Sequence, residues 1–374
     1  MNLLLTGTFG EIASTVGYVL LAILVLLVMI TVHELGHYVS GKILGFGIDE
    51  FAIGFGPKIF SKKKKDGEVF SVRLLPLGGF CAFRGEDAES DDPTAFNNRK
   101  PWQRIIVLIS GAFMNYLLAV VIIAVMFGVY GQTALMTYKV EDLPAGYTVE
   151  NSFCERDIII KADGRNVYLT TDLMEVIKDK KQGDSVPFTV RRSGKDVDLQ
   201  IKLRADTDFV NVEDNAKLLK ALGIKYTIDQ DGILKATGLA NTGLKVGFFK
   251  TIALSIEYSI KLAGSLFVVL GQLITGALGV SSLGGTVTTI SLTATAVKIG
   301  GVRNLLNIAS FIGVNLAVFN LLPIPALDGS RVVFTAIEGV RKKPLDRRIE
   351  GLIHTVGFVL IMLFAIFIDL QQCF

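Results

Sequence analysis

The stretch VGYVLLAILVLLVMITVHELGH, Val16 to His37, decides how this chain is read. From Val16 to Val32 it carries no charge, and it ends in His33-Glu34-Leu35-Gly36-His37. On a helix, residues four apart share a face, so both imidazoles can reach one metal ion. The glutamate beside the first histidine can then act as general base on a water activated by zinc. An ionisable side chain near the bilayer centre costs roughly 2.5–3.5 kcal/mol even on the lenient insertion scale. A hydrolytic metal site inside a membrane is therefore the leading expectation.

The whole chain agrees with a membrane setting. It has 374 residues, of which 51% are hydrophobic, and a mean hydropathy of +0.51. That is more apolar than an ordinary soluble domain. The net charge of +3 gives no case for nucleic acid. Cys81, Cys154 and Cys373 are scattered and odd in number, so they form neither a disulfide framework nor a C-x-x-C metal site. Two of the three histidines lie in the motif and His354 is far away, a polar group near the start of a later span. The third metal ligand should then be a carboxylate. No Lys or Arg precedes Lys42, so the first span is expected to be retained rather than cleaved as a signal peptide.

Four apolar segments approach the roughly 20 residues that cross a bilayer. They divide the chain into a first span with the zinc motif (1–44), a β-rich membrane-associated region (45–104) and a second span (105–131). An inserted α+β domain (132–230) and amphipathic, peripheral helices (231–302) follow. Then come a third span (303–330), a loop (331–349) and a fourth span (350–374). In the insert, Asp163-Gly164 and Ser193-Gly194 read as two-residue hairpin turns, with a helix over Thr171–Lys180 between the two pairs of strands. The fold class is thus a multi-span α-helical membrane protein with about four transmembrane helices.

Basic residues orient it. The loop after the first span and that between the third and fourth are rich in Lys and Arg, with Lys62 to Lys65 as the densest run, so both should face the cytoplasm. The insert then lies outside, and the C-terminal ends of the first and third spans lie on the same side. From Val16 to Thr31 a helix rises about 24 Å against a core of roughly 30 Å, so the motif sits just inside the cytoplasmic boundary.

That geometry nominates Asp328, which follows Asn320-Leu-Leu-Pro-Ile-Pro-Ala-Leu in the third span. Pro323 and Pro325 bend the chain and can aim the carboxylate at the first span. His33, His37 and Asp328 would make a three-ligand site with a fourth position open. Asn315 and Asn320, polar at membrane depth, are expected to face the protein interior.

The two motifs together, His33-Glu34-x-x-His37 and Asn320-x-x-Pro-x-Pro-x-x-Asp-Gly329, resemble the site-2 protease family, and the closest type is the bacterial regulator-of-sigma-E protease group. Leu143-Pro144-Ala145-Gly146 and Asp157-Ile-Ile-x-x-x-Asp-Gly164 resemble a PDZ domain, one copy of it. Phe55-Gly56-Pro57 and Pro76-Leu-Gly78-Gly79-Phe80 resemble the family's membrane-dipping β-hairpin. The resemblance implies zinc ligation by His33, His37 and Asp328, general-base catalysis by Glu34, and substrate handling by Asn315, Pro323 and Pro325 and by the strand edge at Gly78 and Gly79; Asn320, polar at the same depth, is expected to bond an exposed substrate backbone as Asn315 does. The resemblance also implies cleavage of single-span proteins already trimmed outside, such as anti-sigma factors in a stress response or remnant signal peptides, with the PDZ domain as an external size filter. The bacterial cytoplasmic (inner) membrane is the implied location; no oligomeric state is specified. Two departures stand out: Ser330 replaces a glycine after Asp328-Gly329, and Glu155-Arg156-Asp157 stands where Gly-Asp is usual.

Two rival readings stand beside this one. A membrane PDZ scaffold with a structural zinc needs a fourth protein ligand, and the sequence offers no obvious one. A metal transporter needs further ionisable residues within the third and fourth spans, where only Asn315, Asn320 and His354 are polar candidates.

Overall fold

A computed structural model describes residues 9–86, 90–209, 215–228, 234–276, 279, 285–343 and 346–371. The described residues divide into two compact units, one drawn from 1–123, 259–271 and 279–374 and the other from 124–258 and 272–278.

The first unit is built on helices. α1 (Phe9–Ile43) carries the motif in its last third. α2 (Pro101–Tyr130) leaves this unit after Ile123. α6 (Thr286–Leu321) is broken at Gly301, whose φ of 57° and ψ of −145° are non-helical. α7 (Asp328–Arg341) and α8 (Arg347–Gln371) follow. Small residues let the helices close on one another. A Cβ on Gly36 would collide with the backbone of Ser110, and one on Gly313 would lie 3.1 Å from Ala119 and 3.4 Å from Met29. The outward faces stay apolar: Val356, Phe358, Leu360, Leu363 and Phe367 of α8 are all exposed. Such a face has no reason to form except against lipid or another apolar partner.

Between α1 and α2 lie the antiparallel strands β1 (Ile48–Lys63) and β2 (Val69–Phe83). Their register is irregular. Glu50–Ile53 pairs with Val69–Val72 and also with Gly79–Ala82, so β2 folds around it. Gly78, at φ 154°, lies at this bend, where a Cβ would collide with the Phe55 ring. The pair is anchored to α1 through Glu68, whose side chain is 1% exposed and meets both Lys42 and Lys64. Lys64 also donates to the Tyr38 hydroxyl at 2.8 Å.

The second unit holds a sheet in the order β10-β3-β4-β6-β7, with β5 on the side of β4. Its strands are β3 (Gln132–Thr137), β4 (Ile158–Ala162), β5 (Arg165–Asn166), β6 (Ser185–Arg192), β7 (Lys195–Lys202) and β10 (Leu239–Leu244). A small pair, β8 (Tyr226–Ile228) with β9 (Leu234–Thr237), stands apart. α3 (Thr170–Ile177) and α4 (Asn215–Leu222) bury Leu173, Ile177, Leu218 and Leu222 against Ile159, Phe188 and Val190. Both expected hairpins form. Ala162 faces Arg165 across Asp163-Gly164, and Arg192 faces Lys195 across Ser193-Gly194. All four turn residues have positive φ, as a type I′ turn requires.

The structure departs from the expected layout in three places. Among the described residues five helices, not four, are long and apolar enough to cross a membrane. The added one is α5 (Phe248–Ile274), in the stretch expected to hold only peripheral helices; its serines, threonines and charges had masked its length. Residues 239–244, in that same stretch, instead join the sheet as β10, with Leu239 opposite Thr137 and Leu244 opposite Gln132. Third, Asp328 is not the tail of the third span. It is the first residue of α7, a helix that takes up most of the expected loop.

Candidate metal centre

Two helices and a turn bring the predicted ligands together. His33 and His37 lie one turn apart on α1, each 7% exposed. After α6 ends at Leu321, Pro323 and Pro325 forbid its continuation, and the chain turns through Ala326 and Leu327 to Asp328. Gly329 fits beneath because any Cβ would strike the backbone of Leu321 and Leu322.

Asp328 Oδ2 lies 3.0 Å from His33 Nε2 and 3.4 Å from His37 Nε2. The two Nε2 atoms are 3.1 Å apart. Three ligand atoms about 2.0–2.1 Å from a tetrahedral zinc sit roughly 3.3 Å from one another. The spacing therefore fits one shared cation. Asp328 Oδ2 is also buried without a hydrogen-bond partner, as a ligand oxygen awaiting its metal would be. Among the described residues no fourth His, Cys, Asp or Glu joins the group, which leaves a coordination position open.

The other ring nitrogens prepare these atoms for ligation. His37 Nδ1 is 2.8 Å from the Val107 carbonyl oxygen on α2. A carbonyl only accepts, so Nδ1 carries the proton and Nε2 keeps its lone pair. The Asn115 side-chain nitrogen Nδ2, fully buried on α2, lies 3.4 Å from His33 Nδ1. The Asn115 oxygen is buried without a hydrogen-bond partner, and the amide flipped by 180° would turn that oxygen to Nδ1–H and set the same tautomer on His33. Gly111, one turn before Asn115, leaves room for both rings; a Cβ there would lie 2.8 Å from His33 Cε1 and closer still to His37. None of Val107, Gly111 and Asn115 was singled out from sequence. An asparagine in the middle of an uncharged span was the available signal.

Glu34 faces a cleft of about 250 Å³ that it shares with His33, Asp328, Ile30, Leu316 and Asn320. Gly79 lies next to Glu34, where a Cβ would come 3.5 Å from Glu34 Cγ. Of the residues expected to handle substrate, Gly79 thus packs beside Glu34, and Asn320 borders the cleft. Asn315 does not line it; its Oδ1 is buried without a hydrogen-bond partner. Gly78 is turned toward Phe55, Pro323 belongs to the turn after α6, and Pro325 packs on Gly357 of α8.

A family profile described as peptidase family M50 matches residues 21–364. A Clostridium perfringens protein provisionally named a zinc metalloprotease is 34% identical over 359 residues, covering 95% of this chain and 98% of that one. A Fusobacterium nucleatum protein named in the same provisional way is 29% identical over 94% of this chain and 97% of its own. The zinc metalloprotease RasP of Bacillus licheniformis is 27% identical over 94% of this chain and 98% of its own.

Proposed function

The chain belongs to peptidase family M50, and on that premise we propose that this zinc metalloprotease cuts single-span proteins within the membrane, using His33, His37 and Asp328 as ligands and Glu34 as general base. The observation that carries the reading is the meeting of two Nε2 atoms and one carboxylate oxygen, with no fourth His, Cys, Asp or Glu ligand among the described residues, at a cleft that also holds Glu34. Zinc, when bound, supplies a Lewis acid that polarises the scissile carbonyl and acidifies water. Glu34 takes the proton from the attacking water and passes it to the leaving amine. Val107 holds His37 in the ligating tautomer, and Asn115, with its amide oxygen flipped toward Nδ1, would hold His33 in the same one. Asn320 on the cleft wall and the β2 stretch beside Glu34 hold the substrate backbone. A substrate helix must unwind there, because its carbonyls are otherwise bonded internally; a strand edge offers them replacement partners.

The course of the helices supports the four-span orientation. α1 and α6 run the same way: Met29 sits by Gly313, and the ends of both helices meet at the metal centre. Had α5 and α6 each crossed once after α2, α6 would run against α1. Crossing by α1, α2, α6 and α8 keeps Lys62–Lys65 and the basic residues of α7 on the cytoplasmic side and the insert outside. Exposed Phe55, Ile59, Phe60, Leu74 and Leu75 beside those lysines suit a hairpin resting in the membrane surface. Substrates of the anti-sigma-factor type, a PDZ role for the insert as a size filter, and the bacterial inner membrane complete the proposal.

The test is cleavage of a single-span substrate in detergent by the wild type and by Glu34→Gln, with zinc content measured on both. Zinc retained and cleavage lost is the expected result. Equal cleavage by the variant would sink the general-base assignment, and zinc without cleavage in both would favour a structural metal.

A further inference from the structure

We infer that His354, on α8, is a positioning residue for the metal centre: it holds the turn that presents Asp328. The inference rests on Asp328 being a ligand, as proposed above.

The turn is strained. Ala326 has φ 74°, in the left-handed region that favours glycine. A side-chain-bearing residue stays there only when its surroundings hold it. The amide of Ala326 donates to His354 Nδ1 at 3.1 Å. That bond spans from α8 to a residue two positions before Asp328. One turn further along α8, Gly357 lies directly on Pro325; a Cβ there would lie 3.1 Å from the Pro325 carbonyl carbon and closer to its ring. His354 and Gly357 are three residues apart and so share a helix face. One grips the turn by a hydrogen bond and the other by close packing. The imidazole is itself fixed, edge-on to Phe334 of α7 at 5.7 Å and 88°. Because Nδ1 accepts, the ring proton sits on Nε2, which points toward the Glu350 carboxylate 3.9 Å away. Neither group touches the ligand atoms. Their effect passes through the backbone of Ala326 to Asp328, whose carboxylate must keep its place beside two rings on α1.

Residues that orient a ligand typically change metal affinity by about 10- to 100-fold when lost. The experiment measures zinc affinity of the full chain in detergent by competition with a chelator, together with melting of the metal-free protein. His354→Leu should bind zinc about 10- to 100-fold more weakly. His354→Asn, whose side-chain oxygen can stand where Nδ1 stands, should bind like the wild type. Adding Ala326→Gly to His354→Leu should restore binding, since glycine takes this conformation unaided. Wild-type affinity in His354→Leu overturns the inference, as does failure of both rescues in a folded metal-free protein. If His354→Leu does not fold, Asn and Gln at 354 decide: Asn should bind zinc tightly and Gln, whose acceptor reaches too far, weakly, while equal affinity overturns it. Asp328→Asn is the separate control. Should it keep zinc, the ligand assignment itself fails.

Discussion

The Nδ1 nitrogen of His37 lies 2.8 Å from the carbonyl oxygen of Val107, so α2 sets the protonation of a ring on α1. The bond needs the two helices almost in contact, and Gly111 provides that contact. Gly111→Ala should therefore weaken zinc binding, about tenfold or more, by pushing the imidazoles off their common point. Alanine is also the better helix former by about 1 kcal/mol. Helix content of the metal-free protein should accordingly hold. A chelator titration monitored beside circular dichroism would separate these effects, and unchanged zinc affinity would refute the close-packing argument.

A second consequence concerns Gly79. A side chain there would meet the Ala52 carbonyl oxygen at 2.9 Å and Glu34 Cγ at 3.5 Å. Valine must displace β2 from its place beside Glu34 without touching any ligand atom. Displacements of about 1 Å near reacting groups can cost 10²-fold. Gly79→Val should thus cut kcat/KM by about 10- to 100-fold with zinc content unchanged. Loss of zinc together with activity would mean that the strand supports the ligands rather than the substrate.

Much of this site was legible because its signals are local or chemically expensive. The spacing of His33 and His37 is a helical repeat, and a carboxylate after Pro323 and Pro325 is costly at membrane depth. The Asp163-Gly164 and Ser193-Gly194 turns were equally readable, since two-residue turns demand positive φ. Val107 was invisible because its contribution is a backbone carbonyl. β10 was missed because Leu239-Ala-Asn-Thr-Gly-Leu244 has no strand character of its own; it becomes a strand by pairing with β3. His354 read as an incidental polar residue, since its partner is an amide in a turn that the sequence does not mark as strained.

The anchor of the β1–β2 pair gives a pH prediction. Burial raises the Glu68 carboxyl, but bonds from Lys42 and Lys64 outweigh it and hold the group below its usual value. A depressed carboxyl contributes its stability above the unfolded pKa, about 4.5, and loses it as pH falls through the lower folded value. Both lysines are partly exposed, so screening keeps the contribution to about 1 kcal/mol. Cleavage by an added protease at Lys62–Lys65 should accelerate below about pH 4.5. Glu68→Gln should cleave faster at neutral pH and lose that dependence. The same acid response in the variant would assign it to another group.

Arg156 has φ 69°, in the left-handed region that favours glycine. Its side chain is exposed, while its neighbour Asp157 is fully buried. Asp157 accepts the Cys154 amide at 2.8 Å and two bonds from Arg192, at 2.8 and 2.7 Å. The segment is thus held at Asp157 and strained at Arg156. Glycine removes the strain but gains freedom in the unfolded chain, so the two effects partly cancel. Arg156→Gly should raise the opening free energy of β4 and β6 by about 0.5–1 kcal/mol. Hydrogen exchange of the Ile159 and Val190 amides in the full chain would report it. Faster exchange in the variant would mean that the exposed arginine contributes more through its own contacts than its backbone conformation costs.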